Sequence, residues 1–332
     1  MLYYHGVEES LVDREVQQVQ MPLAVFERQI VFLRQHREVI STDDLHASLV
    51  NGHRLDPRQV VLTFDDGYKN NLQFAAPLLR SLNLPFTLFV STRHISEQKR
   101  FPLYYIRTAI LYTDRPYIHL RSIKRSFDLR TRETRVLASA TVAEIAKSAP
   151  IGIVDALTAE CMEQLSSGRR AELDAKFMSE EPMNWDDVRA VARLGATVGS
   201  HCHDHCILHE RQNPEQIRRQ LDESKAAIEK NVGPCKYLAY PNGRAQDISG
   251  VAYATTKAAQ FSMAFSTIHG EVIQEVDRLL APRIYAFPEF EEFCYLLNRS
   301  SRQEESYRTV FPPGKESAPL LGVGQRSESE PS

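Results

Sequence analysis

Apolar residues in the first ninety positions of the chain follow two alternating patterns. After Pro22 they recur at spacings of three and four, which predicts an amphipathic helix. The apolar run over 60–64 is typical of a strand that is buried on both faces. A helix over about 71–82 and a further strand over 85–90 are predicted to follow it. Alternation of strand, helix and strand predicts a parallel α/β sheet or barrel.

The pattern changes over about residues 95–181 and then returns. Helix-like stretches replace strands in this segment, which we interpret as a helical insertion. Strands are predicted again over 196–200, 237–240, 263–266 and 280–286, and the first strand of the chain over 2–7. We therefore expect one domain over residues 1–300. From 301 to 332 the composition turns to Ser, Glu, Gly and Pro, which predicts a disordered tail.

Composition places the chain among ordinary globular proteins. Of its 332 residues, 42% are hydrophobic and 25% are charged, so it can bury a sizeable core. The net charge of -3 gives no overall attraction to nucleic acid, and no nucleic-acid partner is expected. No apolar run reaches the ~18 residues of a membrane helix, and no secretory signal is recognisable, so we expect a cytoplasmic protein without a transmembrane segment. Five cysteines without CxxC spacing indicate reduced thiols.

Two groups of polar residues follow predicted strand ends. Asp65 and Asp66 come after the strand over 60–64, and His201 and His205 come after the strand over 196–200. An Asp pair alone is also compatible with a helix cap. Because active sites of α/β barrels lie at the carboxyl ends of the strands, we expect the two groups to meet. Two imidazoles and one carboxylate are typical of catalytic zinc, but they also describe non-haem Fe(II) oxygenase sites.

The histidine segment leaves other ligands open. In an extended chain, His203 would lie on the same face as His201 and His205. Cys202 and Cys206 are alternative ligands as thiolates, although they would make a hydrolytic zinc ion less Lewis acidic. His5 lies in the first predicted strand and is a further residue that could approach the site from there.

Four stretches of the sequence resemble the polysaccharide deacetylase family, the carbohydrate esterases with a NodB homology domain. They are Thr63-Phe64-Asp65-Asp66-Gly67-Tyr68, Trp185, the segment from Ser200-His201 to His205, and Tyr240-Pro241-Asn242-Gly243. The resemblance implies a distorted (β/α) barrel of about seven strands, with a helical insertion in this chain. It also implies a metal-dependent hydrolase that removes an N-acetyl group from a sugar or polysaccharide.

The resemblance further implies roles for individual residues. Asp65 would be the general base, and zinc or another divalent metal would be held by Asp66, His201 and His205. A backbone N–H such as that of Tyr68 would stabilise the oxyanion. The third motif would contribute to the oxyanion and substrate site through Tyr240, Pro241 and Gly243.

The sequence departs from the family pattern at two places. Many members carry an Arg that orients the catalytic Asp, where this chain has Ala239; Arg283 is the candidate replacement. The late Leu-x-x-His motif that supplies the general acid is not evident, and His269 is the candidate acid.

The sequence thus favours a zinc-dependent carbohydrate deacetylase. An Fe(II) oxygenase is the first alternative, but it leaves Asp65 without a role. A catalytically decayed sugar-binding protein is the second, because the Arg and acid motifs are missing. The expected partner is an N-acetylated carbohydrate, and peripheral contact with a lipid-linked precursor would fit a cytoplasmic location.

Overall fold

The computed structural model describes residues 1–299, so the tail predicted over 301–332 lies outside the described residues. The strands are β1 Leu2–Tyr4, β2 Gly6–Glu8, β3 Gln20–Pro22, β4 Glu38–Val39, β5 Gln59–Val60, β6 Leu62–Phe64, β7 Phe86–Val90, β8 Tyr117–Leu120, β9 Arg125–Asp128, β10 Ala196–Ser200, β11 Tyr237–Ala239, β12 Met263–Phe265 and β13 Ile284–Tyr285. The α-helices are α1 Leu23–His36, α2 Thr42–Val50, α3 Ala76–Ser81, α4 Thr92–Glu97, α5 Pro102–Tyr112, α6 Arg132–Ser148, α7 Ile151–Met162, α8 Ser167–Lys176, α9 Trp185–Arg193, α10 Pro214–Asn231, α11 Gly250–Ala258 and α12 Phe290–Arg299.

Seven of the strands form one parallel sheet in the order β12-β11-β10-β7-β6-β1-β13. The sheet curls into a half-barrel, and the segment before β13 lies between its two ends. Ala281 forms a bridge with Phe265 of β12, while Ile284 pairs with Leu2 of β1. The predicted distorted (β/α) barrel of about seven strands is confirmed.

Several strand boundaries differ from the prediction. The strand predicted over 2–7 is divided at His5 into β1, in the main sheet, and β2, which pairs with β3. The run over 60–64 is divided at Val61, because β5 pairs with β4 outside the main sheet. The helix predicted over 71–82 begins as a π-helical turn, Asn71–Ala75, before α3.

Local sequence explains how the helices that flank the site begin. Asn184 accepts a hydrogen bond from the Asp187 backbone N–H, and the Asp187 side chain accepts one from the Asn184 N–H, which forms a capping box for α9. Asn213 caps α10, where Pro214 occupies the first helical position. These caps fix the chain entering the helices on either side of β10.

The segment that we interpret as an insertion contains helices α5 to α8 and an antiparallel hairpin of β8 and β9, which the sequence pattern did not predict. Helix α5 packs against α6 and α7 around a buried apolar cluster that is separate from the core of the half-barrel. No helix within residues 1–299 has both the length and the apolar character needed to cross a membrane.

Candidate metal centre and active site

The polar residues singled out in the sequence lie at the carboxyl ends of neighbouring strands. Asp65 and Asp66 follow β6, His201 follows β10, and His5 follows β1. Backbone hydrogen bonds hold these strand ends together, because Asp65 N–H donates to the Tyr4 carbonyl and His201 N–H to the Val90 carbonyl, both at 2.9 Å. Residues that are far apart in sequence therefore share one edge of the sheet, as expected for a parallel barrel.

Asp66, His201 and His205 bring three ligand atoms together, all within 4.8 Å of one another. Asp66 Oδ1 lies 3.4 Å from His201 Nε2 and 3.1 Å from His205 Nε2. In the described part of the chain this is the one group of three or more His, Cys, Asp or Glu residues with such spacing. The three predicted ligands are thus adjacent in the structure.

Backbone geometry around the ligands is unusual. Asp66, Cys202 and His205 have φ angles of 74°, 64° and 53°, in the left-handed region that non-glycine residues rarely adopt. Gly67, with φ 86°, continues the turn; a Cβ there would come within 3.1 Å of Val90 Cγ1. Such conformations cost free energy and are retained where the surrounding structure requires a particular side-chain direction.

His201 is oriented by the strand next to β10. Its Nδ1 donates a hydrogen bond to the Ala239 carbonyl at 2.7 Å, which leaves Nε2 as the lone-pair nitrogen toward Asp66. Burial lowers the pKa of His201, but Asp65 and Asp66 outweigh it, and the net pKa is raised. A histidine that is fixed in this way by a backbone acceptor is typical of metal ligands.

The three residues fit a divalent cation. Asp66 Oδ1 is buried and receives no hydrogen bond from residues 1–299, although both imidazoles converge on it. Burial raises the pKa of Asp66, whereas His205 and His201 lower it more strongly, so the carboxyl is ionised. Two imidazole nitrogens and one carboxylate oxygen form the ligand set that Zn²⁺ accepts while keeping an open coordination position.

Asp65 is held separately by Arg283. The guanidinium donates from Nη1 to Oδ1 and from Nη2 to Oδ2, both at 2.8 Å, and both side chains are buried. Nη1 also donates to Thr63 Oγ1 at 3.1 Å, and Nε donates to the Ser266 carbonyl at 2.9 Å. Burial raises the pKa of Asp65, but Arg283 and then His201 outweigh it, so the net pKa is lowered.

The position of Arg283 in its strand differs from the prediction. It immediately precedes β13, whereas the predicted strand over 280–286 included it, and its side chain extends through the interior of the half-barrel to the carboxyl end of β6. The guanidinium lies 4.7 Å from the Tyr3 ring centroid and 5.8 Å from that of Phe89. A buried Arg thus reaches Asp65 from a strand other than the one that carries Ala239.

The alternative metal ligands, His203, Cys202 and Cys206, do not join Asp66, His201 and His205. His203 Nδ1 lies 2.8 Å from Thr92 Oγ1, and its Nε2 lies 3.2 Å from Glu223 Oε2. Cys202 and Cys206 are buried thiols whose pKa values burial raises, well above the ordinary value for Cys202 and to about 12 for Cys206. Since neither thiols nor His203 join the ligand cluster, the structure gives them no part in it.

A cavity of about 330 Å³ opens over the ligand cluster. It is lined by Asp65, Asp66, His201 and His205, and also by His5, whose buried Nδ1 has no hydrogen-bond partner within residues 1–299. Burial lowers the pKa of His5, while Asp66 and Asp65 oppose this effect. His5 is thus the additional imidazole at the site; the sequence offered it as a residue of the first strand, and the structure places it just after the end of β1.

Tyr68 also lines the cavity. Its neighbours Gly67 and Lys69 pair with the chain where the insertion ends, because Met183 N–H donates to the Gly67 carbonyl and Lys69 N–H donates to the Glu181 carbonyl. In this antiparallel bridge between Tyr68 and Pro182 the N–H of Tyr68 therefore points away from the segment 181–183. Such a direction is compatible with the predicted oxyanion contact.

Other predicted site residues do not line the cavity. The Tyr240 ring is fully buried and its hydroxyl donates to the Leu279 carbonyl at 3.1 Å, so the side chain packs in the core and not in the cavity wall. Pro241 and Gly243 are also absent from the lining; the residue of this turn that reaches the cavity is Asn242, with φ 60°. His269 is exposed and lies outside the lining, so the structure does not support it as the acid.

Four further charged residues that the sequence did not single out line the cavity. Lys147 pairs with Glu144 at 2.7 Å and Asp204 with Arg219 at 2.8 Å, whereas Arg107 and Glu180 form no ion pair within residues 1–299. Arg107 lies on α5 and Glu180 lies in the 3₁₀ turn Met178–Glu180, both within the segment interpreted as an insertion. No pattern distinguished them from the many surface charges of that segment.

Comparison with known proteins identifies the family. A family model described as polysaccharide deacetylase matches residues 52–261, which include both the Asp pair and the histidine segment. The chain belongs to the polysaccharide deacetylase family. Carbohydrate deacetylation is therefore the supported activity, and neither the oxygenase nor the decayed sugar-binding alternative gains support. A search of curated proteins found no match.

Solved structures of deacetylases share the fold. Streptococcus pyogenes deacetylase PplD, in complex with acetate, aligns with a TM-score of 0.57 at 14% identity, over 89% of this chain and 95% of that chain. IcaB from Ammonifex degensii aligns with a TM-score of 0.55 at 15% identity, over 88% and 93%. A de-N-acetylase from Aggregatibacter actinomycetemcomitans aligns with a TM-score of 0.51 at 14% identity, over 88% and 98%. At these identities the likeness is one of fold.

Proposed function

We propose that this polysaccharide deacetylase is a zinc enzyme in which Asp66, His201 and His205 hold the metal and Asp65 is the general base. The observation that carries the proposal is the division of two adjacent carboxylates between different partners. Asp66 Oδ1 faces two imidazoles, whereas both oxygens of Asp65 are held by Arg283. One carboxylate is thereby available to a cation and the other to a proton.

The bound metal would act as a Lewis acid that polarises the amide carbonyl and makes water more acidic. Asp65, kept ionised and fixed in direction by Arg283, accepts the proton of the attacking water. The Tyr68 backbone N–H donates a hydrogen bond to the oxyanion that develops on the amide oxygen.

The leaving amine needs a proton, and His5 is our candidate for its donor. It lines the same cavity, and its Nδ1 is not used by the fold within residues 1–299. Burial lowers the pKa of His5, whereas Asp66 and Asp65 favour its imidazolium form, which is the form that donates a proton.

Metal content and acetate release test the proposal together. The chain is purified without added metal, analysed for metals, and assayed on N-acetylglucosamine oligosaccharides before and after chelation and zinc addition. We expect chelation to abolish acetate release and zinc to restore it. Asp65→Asn should lose about 10²- to 10⁴-fold in kcat while its metal content is unchanged. Full turnover by Asp65→Asn would contradict the assignment of the base.

A cytoplasmic location and contact with a lipid-linked sugar stay predictions. Fractionation of cells that produce the full-length protein, followed by detection in the cytoplasmic, membrane and secreted fractions, would test both.

A further inference from the structure

The wall of the cavity opposite the strand ends is contributed by the segment interpreted as an insertion. It includes Phe101, Tyr104 and Arg107 at or near α5, and Glu180 near the end of the segment. At about 330 Å³, the cavity lies at the small end of the range of about 300–1,000 Å³ that is usual for ligand pockets. A group on this wall is thus close to any sugar that reaches the ligand cluster.

Glu180 is a buried carboxyl on this wall, with 4% of its surface exposed. Its Oε1 accepts a hydrogen bond from Gln20 Nε2 at 3.0 Å, and Gln20 is itself held by Asn70, whose Nδ2 donates to Gln20 Oε1 at 2.8 Å. Glu180 forms no ion pair within residues 1–299. The carboxyl is therefore fixed in direction without being neutralised by direct contact with a cation.

Arg107 is the matching cation, with 7% of its surface exposed. Its Nη2 donates to Gln18 Oε1 at 2.7 Å, and it has no ion pair in the described part of the chain. Charged side chains that are buried to this extent are ordinarily paired. Arg107 and Glu180 are instead each anchored by a neutral Gln of the segment before α1, and both border the cavity.

The chemistry of this pair suits a neutral, hydroxyl-rich ligand. After its hydrogen bond to Gln18, the Arg107 guanidinium still has N–H groups that can donate to a ligand. After its hydrogen bond from Gln20, the Glu180 carboxyl still has lone pairs that can accept from one. The two charges are opposite, and Lys147, the further cation that this segment contributes to the lining, is paired with Glu144 at 2.7 Å, so the wall has little net charge to attract an anion. Burial raises the pKa of Glu180 to about 7, so near neutral pH the carboxyl can donate as well as accept.

We propose that Glu180 and Arg107 form a subsite for sugar hydroxyls, which the insertion adds to the deacetylase site. This inference rests on the proposed function, because it takes the cavity to be the place where the N-acetylated sugar binds. Glu180 accepts hydrogen bonds from hydroxyls of the sugar ring, and Arg107 donates to them, so the pair determines affinity for the carbohydrate and not the rate of amide cleavage.

Steady-state kinetics on the metal-loaded full chain test the subsite. The variants are Glu180→Gln and Arg107→Gln, and the substrate is an N-acetylglucosamine tetramer. The matched control is Glu181→Gln, since Glu181 is the neighbouring carboxyl, pairs with Lys69 at 3.1 Å and does not line the cavity. Binding of the deacetylated tetramer by calorimetry, and metal content, are measured in parallel.

We expect both subsite variants to raise KM by about 10- to 100-fold, with kcat within about threefold of wild type. The affinity of both variants for the deacetylated tetramer should fall by a similar factor, while their metal content stays at the wild-type level. The control Glu181→Gln should keep the wild-type KM, kcat and affinity. If either subsite variant fails to fold, the other carries the same test. If the wild type is active but the subsite variants keep its KM, or lose only kcat, the subsite proposal fails and the proposed function stands. Absence of acetate release by the wild type would instead count against the proposed function.

Discussion

Arg283 and Asp65 form a bidentate pair, with two N–H···O hydrogen bonds of 2.8 Å between fully buried side chains. We expect Arg283→Lys to lose much of kcat, because a single ammonium cannot hold both carboxylate oxygens. Arg283→Met should be more severe and also unstable by about 3–5 kcal/mol, since it leaves Asp65 buried and unpaired. Acetate release and urea unfolding measure the two effects.

The double variant Asp65→Asn/Arg283→Met serves as the control for the pair. It removes both charges, so it should regain part of the stability lost in Arg283→Met without regaining activity. If Arg283→Met retained wild-type kcat, Arg283 would have no part in positioning Asp65.

The ligand assignment predicts different outcomes for two histidines that are two residues apart. His201→Ala should lower metal affinity at least about 100-fold, because it removes one of three ligands and its backbone-anchored orientation. His203→Ala should keep the metal, because His203 faces Thr92 and Glu223. Metal titration of both variants checks this, and equal losses would contradict the assignment.

His5 as proton donor predicts an effect that depends on the leaving group. His5→Gln should lose about 10²- to 10⁴-fold in kcat on an N-acetylated sugar, yet remain active on 4-nitrophenyl acetate, whose leaving group needs no proton. His269→Gln is the control, since His269 lies outside the cavity lining. Equal losses on amide and ester in His5→Gln would point to a structural role instead.

Glu180 predicts a pH dependence of stability. Its pKa is about 7 in the folded chain, raised by burial from an ordinary 4.5, so the folded state retains a proton that the unfolded state releases. The stability contributed by the protonated form is full below pH 4.5 and is lost as pH rises through about 7. Relative to Glu180→Gln, wild type should lose up to about 3 kcal/mol of unfolding free energy between about pH 5 and about pH 8.

Urea unfolding of wild type, Glu180→Gln and Glu181→Gln at the two pH values provides the measurement. Parallel pH profiles for wild type and Glu180→Gln would show that Glu180 titrates normally. Glu181→Gln should follow wild type, because Glu181 is paired with Lys69 near the surface.

The sequence was sufficient for the features that depend on periodicity and on strand ends. Apolar runs located the strands of the half-barrel, and the two polar groups after β6 and β10 located the ligand cluster. The pattern could not show that Asp66 and His205 adopt left-handed φ angles, which direct both side chains to one point while His203 turns away. Those conformations result from tertiary packing and not from local propensity.

Long-range side-chain contacts were also beyond the sequence pattern. Arg283 was a candidate for orienting Asp65 only because Ala239 has no side chain that could do so. Its contact with Asp65 through the interior of the half-barrel depends on how β13 pairs with β1. Similarly, Tyr240 follows a strand end, as Asp65 does, but the chain turns differently there and the ring enters the core. The sequence can thus predict that a residue lies at the carboxyl edge of the sheet, but not whether its side chain points into the cavity or into the core.

The separation of Arg283 from the ligand cluster along the chain bears on synthesis of the protein. Asp66, His201 and His205 emerge from the ribosome well before Arg283, whose strand must pair with β1 before the guanidinium can reach Asp65. Pairing of the two ends of a chain is among the slower steps of folding. A nascent chain that ends before β13 would therefore carry all three proposed metal ligands, but the proposed base would lack its Arg283 anchor. On that proposal, hydrolytic competence would be acquired last, when β13 pairs with β1.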